Sequence, residues 1–423
     1  MQAAWKNRNL QLYFGGQLVS LVGTWMQQMA MSWLVYRLTN SPMMLGLIGF
    51  TSQAPSLVLT PFAGIIADRA NRHQLILITQ ILAMLQAAVL AALVWTGRAE
   101  LWELIVLSAF LGCVTAFDLT ARQTFMVDML DDPEQLSTAI GINSSLNTIT
   151  RLIGPFVAGI FVAWAGEGIC FVANAVSYLA VIVALLFVKS NRRVKPATDT
   201  KPMDQLKEGF LYVCGNQPIR LLIVLLALIG LFAMPFALLM PAFAKDVFHG
   251  NAETLGYLTG ASSAGSVVAA FLLTSRRKKA NLGSLIIMGC AVCGLSLVAF
   301  GFCRFLPLSL LAVAFAGFGS MIVMAGSNTL IQMIVDEDKR GRVMSFVVMA
   351  FLGLAPFGCM IAGALANKIG VGNTTVLAGI CTALLAVFFR ANVTGIKQQV
   401  VPSLVDAEIG VTEADEELAL AKV

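Results

Sequence analysis

Charge is scarce in this chain. Only 12% of its residues are Asp, Glu, Lys or Arg, while 58% are hydrophobic. A soluble domain is about a quarter charged, so a water-facing surface cannot be assembled here and lipid must cover much of the protein. Histidine is rarer still: His73 and His249 are the only two, and they fall in different loops. That excludes a metal cluster built on imidazoles. The eight cysteines lie mainly in apolar segments, and the Cys290–Cys293 pair sits inside a predicted helix, where its spacing only sets two small side chains on one face. The sequence has no Walker loop, which argues against direct use of ATP. It also has no nucleophile, base and metal constellation, so neither an enzyme nor a cofactor is expected. The net charge of +5 is small for 423 residues. It reads as Lys and Arg flanking a membrane, not as a nucleic-acid surface.

What fills the chain is apolar runs, at about 10–37, 43–67, 74–96, 101–122, 136–164, 168–189, 219–244, 253–275, 281–303, 306–331, 342–367 and 371–390. In hydrocarbon every backbone amide needs an internal partner, so such runs must be helices. The first run is too long for a signal peptide and follows Lys6 and Arg8, so it reads as a retained span. With the N-terminus inside and twelve spans threaded, the cytoplasmic side collects 22 of the 28 Lys and Arg. The other side receives five, and Arg151 falls inside a span. An odd number of spans would destroy this bias, so both termini are expected to be cytoplasmic.

The expected organisation is a six-helix bundle over 1–189, a polar, basic cytoplasmic loop over 190–218, a second six-helix bundle over 219–392 and a cytoplasmic acidic tail over 393–423. Weak repetition supports a duplication. Val127-Asp128 recurs as Val335-Asp336, 208 residues on, and Leu45-Gly46 as Leu255-Gly256, 210 residues on. A common offset at matching points of the topology marks internal repeats.

The junction after span two reads Gly64-Ile-Ile-Ala-Asp68-Arg69-Ala-Asn71-Arg72-His73. Gly64 permits close helix approach, Asp68 can face a helix N-terminus, and Arg69 and Arg72 can meet carboxylates at a cytoplasmic gate. This loop resembles the signature loop of the major facilitator superfamily, and the six-plus-six layout matches that family over nearly the whole chain. Two departures are Asn71, where a glycine is usual, and His73, where a basic residue is usual. Span four ends Phe117-Asp118-Leu-Thr120-Ala-Arg122-Gln123, which is similar to a stretch in the branch containing the enterobactin exporter and macrolide-efflux-like proteins. The resemblance implies that Asp118 pairs with Arg69 or Arg72 when the cytoplasmic side is closed. A plain pair with Arg122, one turn along the same helix, is the alternative.

Span five carries Asn143, Ser144, Asn147, Thr150, Arg151 and Gly154 on one face. Arg151 lies about 20 Å along the span, where an unpaired arginine costs roughly 3 kcal/mol or more. It is expected to face a watery cavity, or else to be satisfied by neighbouring carbonyls. Gly154-Pro155 with Gly159 resembles the glycine-proline motif of superfamily antiporters, which bends the helix and admits a close neighbour. Span one carries Gln17, Ser20, Thr24, Gln27 and Gln28 on one face. These serve either the substrate path or helix–helix hydrogen bonding. Asp118 is the deepest carboxylate, about one turn from the expected end of its span, and no mid-membrane relay of carboxylates is visible.

The resemblance implies an all-α membrane protein of twelve transmembrane helices in two six-helix pseudo-repeats, the major facilitator fold. It implies a proton-coupled exporter of a small amphipathic molecule, a siderophore or a drug such as a macrolide. It also implies a monomer in a bacterial inner membrane, with proton as coupling ion. Gln17, Thr24, Gln28, Asn143, Asn147 and Arg151 would line the path. Gly64, Asp68, Arg69, Arg72, Asp118 and Arg122 would form the gate, and Gly154, Pro155 and Gly159 would pack helices. A nutrient importer of the same fold and a non-transporting membrane sensor remain alternatives. The charge bias has a direct test. Alkaline phosphatase, active only outside the cytoplasm, should be inactive when fused after Asn392 and active when fused after Phe305. The reverse pattern would overturn the orientation.

Overall fold

The computed structural model describes residues 8–129, 135–188, 202–275, 282–336 and 339–392. Six long helices form the first half: α1 (Arg8–Thr39), α2 (Pro42–Arg69), α3 (Arg72–Trp95), α4 (Leu101–Asp128), α5 (Gln135–Ala165) and α6 (Glu167–Phe187). Their ends follow local chemistry. The α1–α2 turn passes through Asn40 at φ 48°. Pro42 then opens α2, where its missing N–H is not needed.

The segment expected to be a loop contains a further helix, α7 (Pro202–Gly215). The seventh crossing is broken into α8 (Gln217–Phe232), α9 (Phe236–Ala242) and a π-helical turn over Phe243–Val247. Pro235 stands at the first break and Pro241 just ahead of the π turn, and neither offers an N–H to the ladder. Then follow α10 (Ala252–Ser275), α11 (Leu282–Phe302), α12 (Leu306–Ile334) and α13 (Arg340–Ile369). The last is α14 (Val371–Asn392).

Eleven described segments are long and apolar enough to cross a bilayer, with Gln217–Val247 counted as one. The twelfth crossing is α1. Its 32 residues exceed the roughly 20 required, and its polar stripe of Gln17, Ser20, Thr24, Gln27 and Gln28 keeps its hydropathy lower. The protein is thus an all-α membrane protein with twelve transmembrane helices. One helix outruns its expected end for a simple reason: nothing between Arg122 and Asp128 breaks a helix, so α4 continues past the apolar run. Asp118 therefore lies about three turns from the end of α4.

Within the first half α1 packs on α5 and α6, α2 on α4, and α3 on α4 and α6. In the second, α10 and α11 pack on α12, and α8 on α13. The halves meet chiefly along two crossings, α2 on α13 and α5 on α10. Each is a glycine-on-glycine contact. A Cβ on Gly46 would stand 3.0 Å from the Cα of Gly363, and one on Gly159 would stand 3.0 Å from the Cα of Gly256. Small residues let two backbones touch where hydrophobic association gives no driving force. Gly46 and Gly256 are the glycines of the repeated Leu-Gly pairs. The repeat is therefore one crossing used twice: the second helix of each half lies on the fifth helix of the other.

The seam occupies one end of the bundle. Call the end holding the α2–α3 junction and Arg340 the basic face, and the end holding the α1–α2 turn the opposite face. From the opposite face inward, the Ser41 Oγ meets Asn367 Oδ1 at 3.4 Å. Further in, Phe50 and Phe357 pack edge to face with centroids 5.8 Å apart, and Gly353 lies beside Leu57. Toward the basic face the contacts stop. A Cβ on Gly64, Gly141 or Gly341 would meet nothing within 4 Å. Among the described residues the close contacts between the halves lie toward the opposite face, and none forms at these three glycines of the basic face.

Adding an isopropyl group at this seam forces helices apart at a cost of about 1–3 kcal/mol. Gly159→Val should widen the opposite face, read as a longer spin-label distance between Thr39 and Lys368 in a background without reactive cysteines. An unchanged distance would show that the glycine contact does not hold the seam.

Candidate substrate path and gates

The polar stripe of α1 divides between two jobs. Gln17 donates through Nε2 to Asn143 Oδ1 on α5 at 3.1 Å, and Asn147 donates to the Asn143 carbonyl at 2.9 Å. The Gln17 side chain is buried, and its Oε1 has no partner among the described residues. Gln28 is exposed on its helix. Thr24 donates to the Ser20 carbonyl of its own helix at 2.9 Å. Gln27 belongs elsewhere. It donates to Gln86 Oε1 of α3 at 3.0 Å and accepts from Asn174 Nδ2 of α6 at 2.8 Å. Hydrogen bonding between helices therefore explains Gln27, and Gln17 makes one such bond as well, while Gln28 stays exposed.

Arg151 stands near the midpoint of α5 with its guanidinium over the indole of Trp25, 5.6 Å from the ring centroid. No described carboxylate pairs with it. Gly154 makes the arrangement possible, since a Cβ there would collide with the Cβ of Trp25. Pro155 has a second effect. A helical N–H bonds the carbonyl four residues back, and proline has no N–H, so the Arg151 carbonyl loses its ordinary donor. Ser263 of α10, in the other half, donates its hydroxyl to that carbonyl at 3.1 Å. Membrane helices tolerate proline where a neighbouring hydroxyl replaces the lost donor. Gly159, one turn beyond Pro155, makes the seam contact with Gly256. The motif Gly154, Pro155, Gly159 thus seats an aromatic ring, opens a carbonyl to the second half and touches that half directly.

At the basic face, among the described residues, Arg72 and Asp118 have separate partners. Arg72 Nη1 bonds both carboxylate oxygens of Asp128 at 2.9 Å. It reaches the end of α4, but three turns beyond Asp118. Asp118 is already taken: it accepts Arg122 Nε at 2.6 Å, and Thr79 Oγ1 and Gln80 Nε2 at 2.8 Å each. Among the described residues the charged partner of Asp118 is Arg122 of its own helix, and α3 brings two further donors to the same carboxylate. The side chains of Asp68 and Arg69 lie outside the described residues. Gly64 makes no close helix approach here. Both departures from the signature loop have local explanations. Asn71 caps α3 by accepting the His73 N–H at 3.1 Å, and His73 Nε2 bonds the Leu185 carbonyl of α6 at 2.8 Å. The repeated Val-Asp pairs also have matching roles. Asp128 anchors the start of α3, and Asp336 accepts the Tyr212 hydroxyl of α7 at 3.0 Å. Glu208 of α7 pairs with Arg342 of α13 at 2.6 Å, so α7 is docked on the second half.

Sequence reasoning missed a lock at the opposite face. The Tyr36 hydroxyl donates to Asp246 Oδ2 in a short hydrogen bond between the halves. Lys245 donates to Asn40 Oδ1 and lies 5.9 Å from the Tyr36 ring centroid. The available signal was faint: an adjacent Lys and Asp closing an apolar run, with a tyrosine near the end of span one.

The profile of the family described as transmembrane secretion effector matches residues 3–408. The chain belongs to that family. This secretion-effector family member is 25% identical to the staphyloferrin A transporter of Staphylococcus aureus, over 89% of this chain and 94% of the relative. It is 24% identical to macrolide efflux protein A of Streptococcus pyogenes, over 90% of this chain and 96% of the relative. Its fold is similar to a bacterial homolog of the human lysosomal transporter Spinster, in an inward-facing and unoccupied conformation. That match has a TM-score of 0.72 and 15% identity, and covers 94% of this chain and 98% of that one. The chain is a multi-pass membrane transporter of the major facilitator type, and not an enzyme.

The proline–serine arrangement in this secretion effector has a thermodynamic signature. Ser263→Ala leaves the Arg151 carbonyl without its cross-half donor, at about 1–3 kcal/mol, and should lower the melting temperature of the purified protein. In a Pro155→Ala background the alanine N–H takes that carbonyl, so Ser263→Ala should cost much less. Equal costs in the two backgrounds would sink the assignment.

Proposed function

We propose that this protein is a proton-coupled exporter of a small amphipathic molecule that works by alternating access, in the state whose central site is open to the cytoplasm. The observation that carries the reading is the one-ended seam. Two glycine crossings and the Tyr36–Asp246 lock close one face, while the polar path of Gln17, Asn143, Asn147 and Arg151 begins at the other, splayed face. Charge supports the orientation, with the basic face cytoplasmic, as does a bacterial inner-membrane setting.

Residues 1–189 and 219–392 are the two rocking bodies, linked through 190–218, with α7 riding on the second. Closing the cytoplasmic side brings the α2–α3 junction toward α13. That is where Gly64, Asp68, Arg69 and Arg72 acquire partners across the gap, with Asp118 and Arg122 behind them. The family's description as secretion effectors supports export over uptake, as do the glycine-proline motif and the macrolide efflux relative. Proton coupling rests on the major facilitator resemblance, and one chain suffices for the path.

Inverted membrane vesicles should accumulate a macrolide or a siderophore when the interior is acidified, and an uncoupler should stop the accumulation. Arg151→Ala should abolish this flux with membrane insertion intact. Normal export by the correctly inserted variant would remove Arg151 from the site.

A further inference from the structure

Away from the helix ends, the described spans hold three charged side chains: Asp118, Arg122 and Arg151. The first two neutralise one another at 2.6 Å. Arg151 has only the Trp25 ring, at 5.6 Å from its centroid. A ring quadrupole attracts a cation without cancelling its charge. Among the described residues, the interior of the first half therefore carries one positive charge with no counter-ion. Arg151 is half-buried, which leaves part of it reachable from the cytoplasm-facing cleft of the exporter reading.

Its place in the cleft is specific. Asn143, Asn147 and Arg151 recur at every fourth residue of α5, on one face, leading inward from the basic end. Immediately beyond Arg151 the seam begins, with Ser263 on its carbonyl and Gly159 against Gly256. Arg151 thus marks the floor of the open cleft. There a planar guanidinium with five donors lies beside an aromatic face. This combination suits a carboxylate held by paired hydrogen bonds, with the apolar part of the same molecule against the ring.

We infer that the cleft floor is an anion site, in which Arg151 anchors a carboxylate-bearing amphipathic substrate and Trp25 holds the guanidinium in place. The inference rests on, and deepens, the exporter reading. Of the two cargo classes in that reading it selects organic anions such as a carboxylate siderophore, and it disfavours cationic amphiphiles, amine-bearing macrolides included, which the uncompensated arginine repels. Trp25 is a specificity-determining residue, positioned by Gly154. Because Ser263 grips the carbonyl of the same Arg151, occupancy of the site and closure of the seam act on one residue.

The test uses three probes that share a naphthalene ring and differ in charge: 2-naphthylacetate, 2-naphthylacetamide and 2-naphthylethylammonium. Equilibrium binding is measured by naphthalene fluorescence on the purified full chain. The acid should bind at least tenfold tighter than the amide, and the ammonium compound should not compete. Arg151→Gln should make acid and amide bind equally, and Arg151→Lys should restore part of the preference. Trp25→Leu should weaken acid and amide alike. Undetectable acid binding, tighter binding of the ammonium compound, or an acid preference that survives Arg151→Gln would each overturn the inference. Flux in inverted vesicles is a separate readout. An acid-selective site without flux would sink the exporter reading and sustain this one. Proton-driven flux of the ammonium compound, with no acid preference, would do the opposite.

Discussion

Inside hydrocarbon neither a backbone carbonyl nor a cation can be left without a partner, and in this protein both demands fall on Arg151. Pro155 withholds the N–H its carbonyl would have used, and Ser263 supplies a hydroxyl from the other half. The guanidinium lies over Trp25, which Gly154 lets approach. The first half cannot complete this site alone. A residue in the proposed path is thereby tied, through one hydrogen bond, to the contact between two bodies that are proposed to move.

The rest of the interface is consistent with a contact meant to open. It uses glycine on glycine, an edge-to-face aromatic pair and a few hydrogen bonds at the rim. Backbone-to-backbone contacts of this kind depend on close approach and lose their dispersion energy over a small separation. Exchange of partners between the two repeats, second helix on fifth and fifth on second, gives both edges of the seam the same geometry. A rocking motion can therefore hinge on both edges together. Polar anchors within the first half have the opposite character. Arg72 with Asp128, Asp118 with its three donors, and the Gln27–Gln86–Asn174 cluster each join helices of the one body.

Much of the fold was legible in the sequence because the signals are local. Hydropathy over about twenty residues marks a span, and a 3.6-residue period marks a face. Arg151 stood out for the same reason: its cost arises from depth alone, whatever surrounds it. The repeated Leu-Gly pairs were also visible, though not what they touch. Less legible were features in which two signals compete. The last turns of α4 are polar, so the apolar run ended before the helix did. The helix α7 is too short and too polar at its start to announce itself between two masses of hydrophobic chain.

By itself the sequence determined twelve crossings, their duplication, the bias of positive charge to one face and the presence of a buried arginine on a polar stripe. Each depends only on the composition and spacing of neighbouring residues. Tertiary structure alone decided which carboxylate Arg72 meets, which partners the α1 glutamines find, that Tyr36 bonds Asp246, and that Ser263 answers for Pro155. Those choices depend on which helix faces which and at what height. No periodicity along one chain segment carries that information, because the partners lie up to 210 residues apart.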